Sequence, residues 1–248
     1  MIMNNQLING DCLEEMAKLK DKSIDMVLAD IPYNCHDDKC DKDIIDLNLF
    51  WEQFKRVRKS KETPCIMFAN MRFAVKLITS NSKMFKFEMI LKKKNVTGGL
   101  LSRFRPMVSH ELILFFYEKQ PIYNRDLYHT RINNVKMAKS SCYAGTESHH
   151  FENTKNIKRV QSNFSPTLPK SIFESNICFK KRLHKTQKPT DILEFLIKYW
   201  TDEGDTILDP TMGSGSSGVA CKTLNRHFVG IELDTEIFNV AEKRIRDK

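Results

Sequence analysis

Short apolar runs alternate with helical patterns near both ends of the chain, and this alternation limits the fold more than any other feature. Residues 24–29, 65–69 and 228–231 are brief apolar runs of the kind that form buried strands. Residues 47–59 and 236–246 carry apolar side chains at helical spacing. Because strands that alternate with helices usually pair in parallel beneath those helices, the pattern predicts an α/β fold with a mostly parallel sheet.

The middle of the chain has a different texture. Residues 120–188 are rich in Asn, Ser, Lys and His and show no sustained period. Residues 119–188 hold 14 Lys and Arg against 4 Asp and Glu, whereas the rest of the chain holds 26 against 27. A positive excess confined to one segment is typical of an element that binds a polyanion, and a solubilising surface segment is the alternative.

Composition excludes several classes of protein. The 248 residues suffice for one α/β domain with an insertion. No apolar run reaches about 18 residues, so no membrane partner is expected. The seven cysteines form no Cys-x-x-Cys pair, which is typical of reduced thiols in a cytoplasmic protein. Cys35, His36, Asp37 and Cys40 do not have the spacing of a common zinc module, so no metal site is predicted.

A glycine-containing turn near the C-terminus predicts a cofactor site. Residues 209–217 (DPTMGSGSS) lie between a predicted strand and a predicted helix. Gly213 and Gly215 allow a sharp turn and a close approach of backbone to a ligand. Glu232 follows roughly 20 residues later, at a strand end, where a carboxylate can accept ribose hydroxyls. This pattern is typical of adenosine-type cofactors, including dinucleotides, although glycines also serve turns without a ligand.

Residues 30–33 (DIPY) directly follow the predicted strand 24–29, where open α/β sheets bind ligands. An exocyclic aromatic amine is a poor nucleophile because its lone pair is delocalised into the ring. Asp30 can accept one N–H of such an amine, and a neighbouring backbone carbonyl can accept the other, which aims the lone pair at a methyl donor. Tyr33 can stack on a base taken out of the helix. An ordinary turn after a strand is the alternative interpretation.

Four segments in one order resemble a single family. Residues 30–33 resemble the DPPY box of the amino-methylating DNA methyltransferases, and residues 209–215 (DPTMGSG) resemble their DPFxGSG cofactor loop. Residues 184–189 (HKTQKP) resemble the HxTQKP segment, and residues 10–13 (GDCL) the GDCL opening. Because the catalytic box precedes the cofactor loop, the order resembles the β group of this family.

The resemblance implies a Rossmann-like, circularly permuted methyltransferase fold with a mostly parallel, seven-stranded sheet. In that fold the strand ending at Asp30 lies beside the strand ending at Asp209. The resemblance also divides the chain into a catalytic half (1–118), an irregular basic target-recognition insertion (119–183) and a cofactor-binding half (184–248).

The resemblance further implies S-adenosylmethionine (SAM) as the cofactor and assigns the site residues. The target base is held by Asp30, Ile31, Pro32 and Tyr33. The methionine end of SAM lies near Lys188, and the adenine lies near Asp11. The full cofactor set comprises Asp11, Thr186, Gln187, Lys188, Asp209, Pro210, Met212, Gly213, Ser214, Gly215, Ser216, Glu232 and Leu233. The basic side chains predicted to contact DNA are Arg103, Arg105, Lys180, Lys181 and Arg182.

One departure concerns Ile31, where the family usually has Pro. The second position contributes a backbone carbonyl, which Ile also supplies, but Ile lacks the fixed φ of Pro and leaves the loop less preorganised. A first-position Asp, as in Asp30, resembles adenine-N6 enzymes, whereas Ser resembles cytosine-N4 enzymes.

The leading prediction is therefore a site-specific methyltransferase that modifies N6 of adenine in double-stranded DNA by base flipping. The alternatives are an N4-cytosine enzyme, a methyltransferase of RNA or of protein glutamine, and a DNA-binding relic impaired by Ile31. A cognate restriction endonuclease and a homodimer are further partners that the sequence leaves open.

Overall fold

The computed structural model describes residues 5–32, 45–132, 163–175 and 187–248. Strands and helices alternate along most of these ranges. The strands are β1 (Gln6–Asn9), β2 (Met26–Ala29), β3 (Cys65–Ala69), β4 (Phe85–Thr97), β5 (Val108–Phe116), β6 (Thr130–Ile132), β7 (Asn163–Ser165), β8 (Ile172–Glu174), β9 (Thr206–Asp209) and β10 (His227–Glu232). The helices are α1 (Cys12–Lys18), α2 (Leu47–Val57), α3 (Met71–Ser80), α4 (Arg125–Tyr128), α5 (Thr190–Trp200), α6 (Ser216–Thr223) and α7 (Thr235–Arg246).

One sheet carries most of these strands, in the order β1-β10-β9-β2-β3-β5-β4-β8. Neighbours pair in parallel except β5, which is antiparallel to both β3 and β4. The predicted α/β architecture with a mostly parallel sheet is therefore confirmed. The sheet has one strand more than the seven that the resemblance implies, because the three-residue β8 pairs with the edge of β4.

The chain contains two units: Met1–Asn124 together with Lys170–Lys248, and Arg125–Pro169. The first unit holds the eight-stranded sheet. The described part of the second unit holds α4, β6 and β7, of which the two strands form a separate antiparallel pair. The boundaries 119 and 183 stay a prediction, although β8 lies between them and pairs within the first unit.

The core explains why the two central strands lack an alternating pattern. Every residue of β2 and β3 is buried, which requires cover on both faces of the sheet. Helix α2 buries Phe50, Trp51, Phe54 and Val57, whose spacing places them on one side of the helix. No helix in the described ranges is long and apolar enough to cross a membrane.

Short polar side chains set the first residue of several helices. Asp11, Asp46, Asn70 and Asp234 each accept backbone N–H groups from the first turn of α1, α2, α3 and α7, respectively. These carboxylates and amides satisfy N–H groups that have no partner within the helix. These side chains therefore fix the residue at which each of the four helices begins.

The register of the sheet brings the two predicted half-sites to one edge. Strand β2 pairs in parallel with β9, with Met26 opposite Ile207 and Val27 opposite Leu208. The predicted neighbourhood of the strands that lead to Asp30 and Asp209 is thus confirmed. Because β5 runs the other way, its first residues lie at the same edge as the last residues of β2, β3 and β9.

Candidate active site

The turn between β9 and α6 is shaped by two glycines. Gly213 has φ of 52° and Gly215 has φ of 76°, a region that side chains with a Cβ rarely adopt. The N–H of Met212 donates to the carbonyl of Ile231 at 2.9 Å, which ties the turn to β10. No atom of the described residues lies within 4 Å of the position that a Cβ would take at Gly213. The backbone at this glycine therefore borders open space.

Asp209 is buried at the end of β9. Its oxygens accept hydrogen bonds from the hydroxyl of Ser217 and from the N–H of Thr211, the latter at 3.1 Å. Burial raises the pKa of Asp209 to about 7, and the negative charges of Asp30 and Glu232 add to the rise, while the two hydrogen bonds oppose it. Asp30, which follows β2, and Glu232, which ends β10, therefore lie near enough to Asp209 for their charges to act on it.

Glu232 ends β10 and faces the glycine turn. Its Oε2 accepts the N–H of Gly213 at 2.9 Å, and its Oε1 accepts the N–H of Asp234 at 3.0 Å. The side-chain amide of Asn9 donates to the carbonyls of Glu232 and Leu233 at 2.8 and 3.1 Å. The carboxylate is thus oriented by backbone on both sides. Leu233 follows it with 54% of its surface exposed.

Arg244 in α7 braces the same turn from below. Its Nη1 donates to the carbonyl of Ser214 at 3.0 Å and to the hydroxyl of Ser216 at 2.9 Å. Both serines are buried. This contact was not predictable from the sequence, because Arg244 lies in a helix whose charge pattern is that of an ordinary exposed face.

Asp11 has a structural task in the described chain. Its Oδ1 accepts the N–H groups of Leu13 and Glu14 at 2.9 and 3.1 Å as the N-cap of α1. The pairing of β1 with β10 puts Asn9 opposite Glu232, so Asp11 lies just beyond that edge. Its predicted place near the adenine of the cofactor stays a prediction.

The amino-group half of the site is organised by a lysine. Lys188 Nζ lies 2.6 Å from Asp30 Oδ2 and 3.1 Å from Glu111 Oε2. The ammonium also lies 5.1 Å from the centroid of the Phe68 ring. Only 11% of the Lys188 side chain is exposed, so this charge is held by two carboxylates and an aromatic face with little contribution from water.

Glu111 connects this group to the next strand. Its Oε1 lies 3.0 Å from Lys93 Nζ, so the carboxylate is shared by two ammonium groups. Burial by itself raises the pKa of Glu111, but Lys188 and Lys93 outweigh burial, and the pKa lies below its usual value. Negative and positive side chains therefore alternate at the carboxyl edge of the sheet. We call this group of four residues, Asp30, Lys188, Glu111 and Lys93, the charge cluster.

Ile31 is only 1% exposed and belongs to the hydrophobic core. The sequence analysis assigned only a backbone carbonyl to Ile31, but its side chain also packs inside the protein. An apolar side chain at this position fixes the segment after β2 by burial, which is a physical alternative to the fixed φ of Pro. Pro32 follows it and is half-buried.

The remaining predicted residues divide into three groups. Arg103 and Arg105 are exposed in the turn between β4 and β5, which also carries Phe104 with 84% of its surface exposed. Gln187 and Pro210 lie within the described ranges, directly beside Lys188 and Asp209 in the sequence. The residues that lie outside the described ranges are Tyr33, Lys180, Lys181, Arg182 and Thr186, together with the segment that holds Cys35 and Cys40.

Glu111, Lys93, Ser217 and Arg244 were absent from the predicted set. A signal existed for Glu111, because a charged residue at the start of an otherwise apolar strand needs a partner when buried. Lys93 and Arg244 have no such signal, since their partners lie far away in sequence. Ser217 lies in the predicted glycine turn, but the turn motif did not indicate that its hydroxyl binds Asp209.

A family model for DNA methylases matches residues 24–243 of the chain. Among curated proteins, the Type II methyltransferase M.HinfI of Haemophilus influenzae is 23% identical over 276 residues. The match covers 98% of this chain and 68% of that relative.

Solved structures resemble the fold over almost the whole chain. The M1.HpyAVI–SAM complex has a TM-score of 0.62 at 24% identity and covers 96% of this chain and 98% of that one. The PvuII DNA methyltransferase, described as cytosine-N4-specific, has a TM-score of 0.66 at 12% identity and covers 98% of this chain and 90% of that one. Both likenesses bear on the fold.

Proposed function

Because the chain belongs to the N6/N4 DNA methylase family, we propose that it transfers the methyl group of SAM to N6 of adenine in duplex DNA. The observation that carries this proposal is the meeting of two half-sites at one edge of the sheet. Strands β2 and β9 are parallel neighbours, and they lead to Asp30 and Asp209. A carboxylate suited to an amine thus lies beside a glycine turn suited to a cofactor.

SAM supplies an electrophilic methyl group when it is bound. The residues around the glycine turn fit its adenosine part in three respects. The backbone of Gly213 borders open space, Glu232 presents a carboxylate oriented by two N–H groups, and exposed Leu233 offers an apolar surface. In the proposal the Glu232 carboxylate accepts ribose hydroxyls and Leu233 packs on the adenine.

The same proposal extends to the other predicted cofactor residues. The turn itself contacts the cofactor through the segment from Asp209 to Ser216, including Pro210, Met212, Ser214 and Gly215. Asp11, Thr186, Gln187 and Lys188 complete the set as predicted from the resemblance.

Asp30 has the chemistry that an amine acceptor needs. Its carboxylate accepts an N–H of the target amino group, and the backbone carbonyl of Ile31 accepts the other. These two acceptors withdraw the N–H groups from the ring plane and turn the lone pair toward the methyl donor. After transfer the nitrogen carries a surplus proton, and the Asp30 carboxylate is the group positioned to receive it. Tyr33 is proposed to stack on the extruded base.

DNA binding is proposed for two basic regions. Arg103 and Arg105 are exposed on the turn that joins β4 to β5, and Glu111 near the start of β5 belongs to the charge cluster. This turn therefore rises from the edge of the sheet that holds Asp30. Phosphate contacts from these arginines and from Lys180, Lys181 and Arg182 would make affinity fall with salt, with a log–log slope of about −0.9 per contact. A flat response to salt would contradict this role.

The biological setting follows from the same proposal. A DNA methyltransferase of this kind would act in the cytoplasm within a restriction-modification system. The name of the relative M.HinfI, a Type II methyltransferase, supports this setting. A cognate restriction endonuclease and a second copy of the chain stay predicted partners.

The decisive experiment supplies SAM labelled in its methyl group and unmethylated genomic DNA, followed by nucleoside separation. Label in N6-methyladenine is the expected result, and sequencing of the modified positions then gives the recognition site. Label that appears in RNA or protein and not in DNA would overturn the proposal.

Cytosine N4 is the second candidate target. The fold resembles that of the PvuII enzyme, which is described as cytosine-N4-specific, and both reactions use an exocyclic amine. The geometry around Asp30 serves either amine. The nucleoside separation distinguishes them, because N4-methylcytosine and N6-methyladenine elute as different products.

A further inference from the structure

In the charge cluster, Lys188 and the proposed target amine both require the carboxylate of Asp30. Lys188 Nζ is 2.6 Å from Asp30 Oδ2, which is the distance of a charge-assisted hydrogen bond. An amino group that donates to Asp30 needs a place beside the same carboxylate. The ammonium already occupies one oxygen of this carboxylate, and its positive charge makes the whole carboxylate a weaker acceptor for a proton of the target amine.

Lys188 cannot simply withdraw into water. Its side chain is 11% exposed, and a buried ammonium without an anion costs several kcal/mol. The nearest alternative anion in the described chain is Glu111, whose Oε2 is already 3.1 Å away. A small shift toward Glu111 would keep the lysine charged and neutralised while it releases part of Asp30.

We propose that Glu111 is a positioning residue that receives Lys188 when the target amine takes its place on Asp30. The inference rests on the proposed function, since it concerns how the same site admits its base. Lys188 holds the carboxylate of Asp30 in place before the base arrives, and Glu111 sets how readily that hold is released. No bond is formed or broken in this exchange, because one cation moves between two carboxylates.

Two further features support the exchange. The ring of Phe68 in β3 lies 5.1 Å from the ammonium and lies between β2 and β5 in the sheet, so a cation–π contact accompanies Lys188 on its path. Glu111 stays ionised despite its burial, because Lys188 and Lys93 lower its pKa. A carboxylate whose pKa lies below its usual value is negatively charged at neutral pH, as a group that receives a cation must be.

The test measures base binding separately from methyl transfer. The probe is a duplex of the recognition sequence with 2-aminopurine at the target position, whose fluorescence increases when the base leaves the stack. Measurements at saturating duplex and S-adenosylhomocysteine compare the wild type with Glu111→Gln. We expect the extrahelical fraction to fall roughly tenfold in Glu111→Gln, a typical size for coupling between two sites. The neutral amide cannot replace Asp30 as the anionic partner of Lys188.

Two more variants separate this role from mere loss of structure. The double variant Glu111→Gln with Lys188→Met should regain base binding, because the competing cation is gone. Lys93→Met breaks the same 3.0 Å ion pair of Glu111 but leaves the carboxylate with less competition for Lys188, so the extrahelical fraction should rise. A structural defect would instead lower base binding in both Glu111→Gln and Lys93→Met.

The outcomes are distinct. Wild-type fluorescence in Glu111→Gln, or no recovery in the double variant, overturns the inference while wild-type methyl transfer upholds the proposed function. Absence of methyl transfer by the wild type to any DNA overturns the proposed function and this inference together.

Discussion

The two halves of the site are built in different ways. The cofactor half, around β9, α6 and β10, is held mainly by backbone groups: N–H groups of Thr211, Gly213 and Asp234 bind carboxylates that lie within the same stretch of chain. The amino half is held by side-chain charges, since Asp30 and Lys188 form an ion pair although they lie far apart in the sequence. One half is a local turn, and the other is a meeting of distant residues.

This difference teaches where each half is vulnerable. A site made of backbone geometry depends on glycines and on carboxylates that orient N–H groups, so single substitutions weaken ligand binding. A site made of buried charges depends on neutrality, so removal of one charge leaves another without compensation. We therefore expect the amino half to respond in catalysis and the cofactor half to respond in affinity.

The largest effect is expected at Asp30. Asp30→Asn keeps the shape of the side chain but removes its charge, so methyl transfer should fall about 100- to 1000-fold. SAM affinity should change little, because the carboxylate belongs to the amino half. Single-turnover methyl transfer and equilibrium SAM binding measure the two quantities. Methyl transfer at the wild-type rate in Asp30→Ala would refute the role of this residue.

The next effect concerns Glu232. Glu232→Gln removes the charge that accepts the N–H groups of Gly213 and Asp234, and SAM should bind roughly 10- to 100-fold more weakly. Isothermal titration with SAM measures the change. Glu236→Gln, an exposed carboxylate in the first turn of α7, is the matched control. Equal losses in both variants would mean that general electrostatics, and not this contact, governs affinity.

A pH-dependent effect is expected from Asp209. Burial raises its pKa to about 7 in the folded protein from an ordinary 3.8. The folded chain therefore keeps a proton that the unfolded chain releases near pH 4, and stability falls as pH rises between these values. Above about pH 7 this contribution is constant.

The variant Asp209→Asn tests that slope. Urea unfolding at a series of pH values should show that the stability of the wild type relative to the variant falls by at least about 1 kcal/mol between pH 4 and 7. Identical pH profiles would show that the Asp209 carboxyl is ionised over the whole range.

The smallest effect is expected at Arg244. Arg244→Met removes the hydrogen bonds to Ser214 and Ser216, so the glycine turn loses its brace and SAM affinity should fall about threefold. Arg246→Met is the control, because the Arg246 side chain is 73% exposed and pairs with Glu242 on the surface. If both variants bind SAM equally well, the turn is rigid without Arg244.

Much of the fold was predictable because its signals are local. The apolar runs that became β2 and β3, the spacing of Phe50, Phe54 and Val57 in α2, and the polar residues before helices all act within a few positions. The cofactor turn was predictable for the same reason, since a glycine turn and a carboxylate at the next strand end are close in sequence.

The amino half was predictable only in part. Asp30 stood out because it follows a strand, but its partners did not. Glu111 was not among the predicted site residues, and Lys188 was assigned to the cofactor. The sequence did not indicate that Lys188 pairs with both Asp30 and Glu111, or that Glu111 also pairs with Lys93.

The sequence by itself determined the alternation of strands and helices and the glycine turn, and it led to the prediction of Asp30 as an amine acceptor, because each of these depends on neighbours along the chain. Only the tertiary structure decided that β5 runs antiparallel and brings Glu111 to the edge where β2 ends. It also decided that Lys188 bridges Glu111 and Asp30. The physical reason is that ion pairing depends on distance in space and burial, and neither quantity is encoded by spacing in sequence.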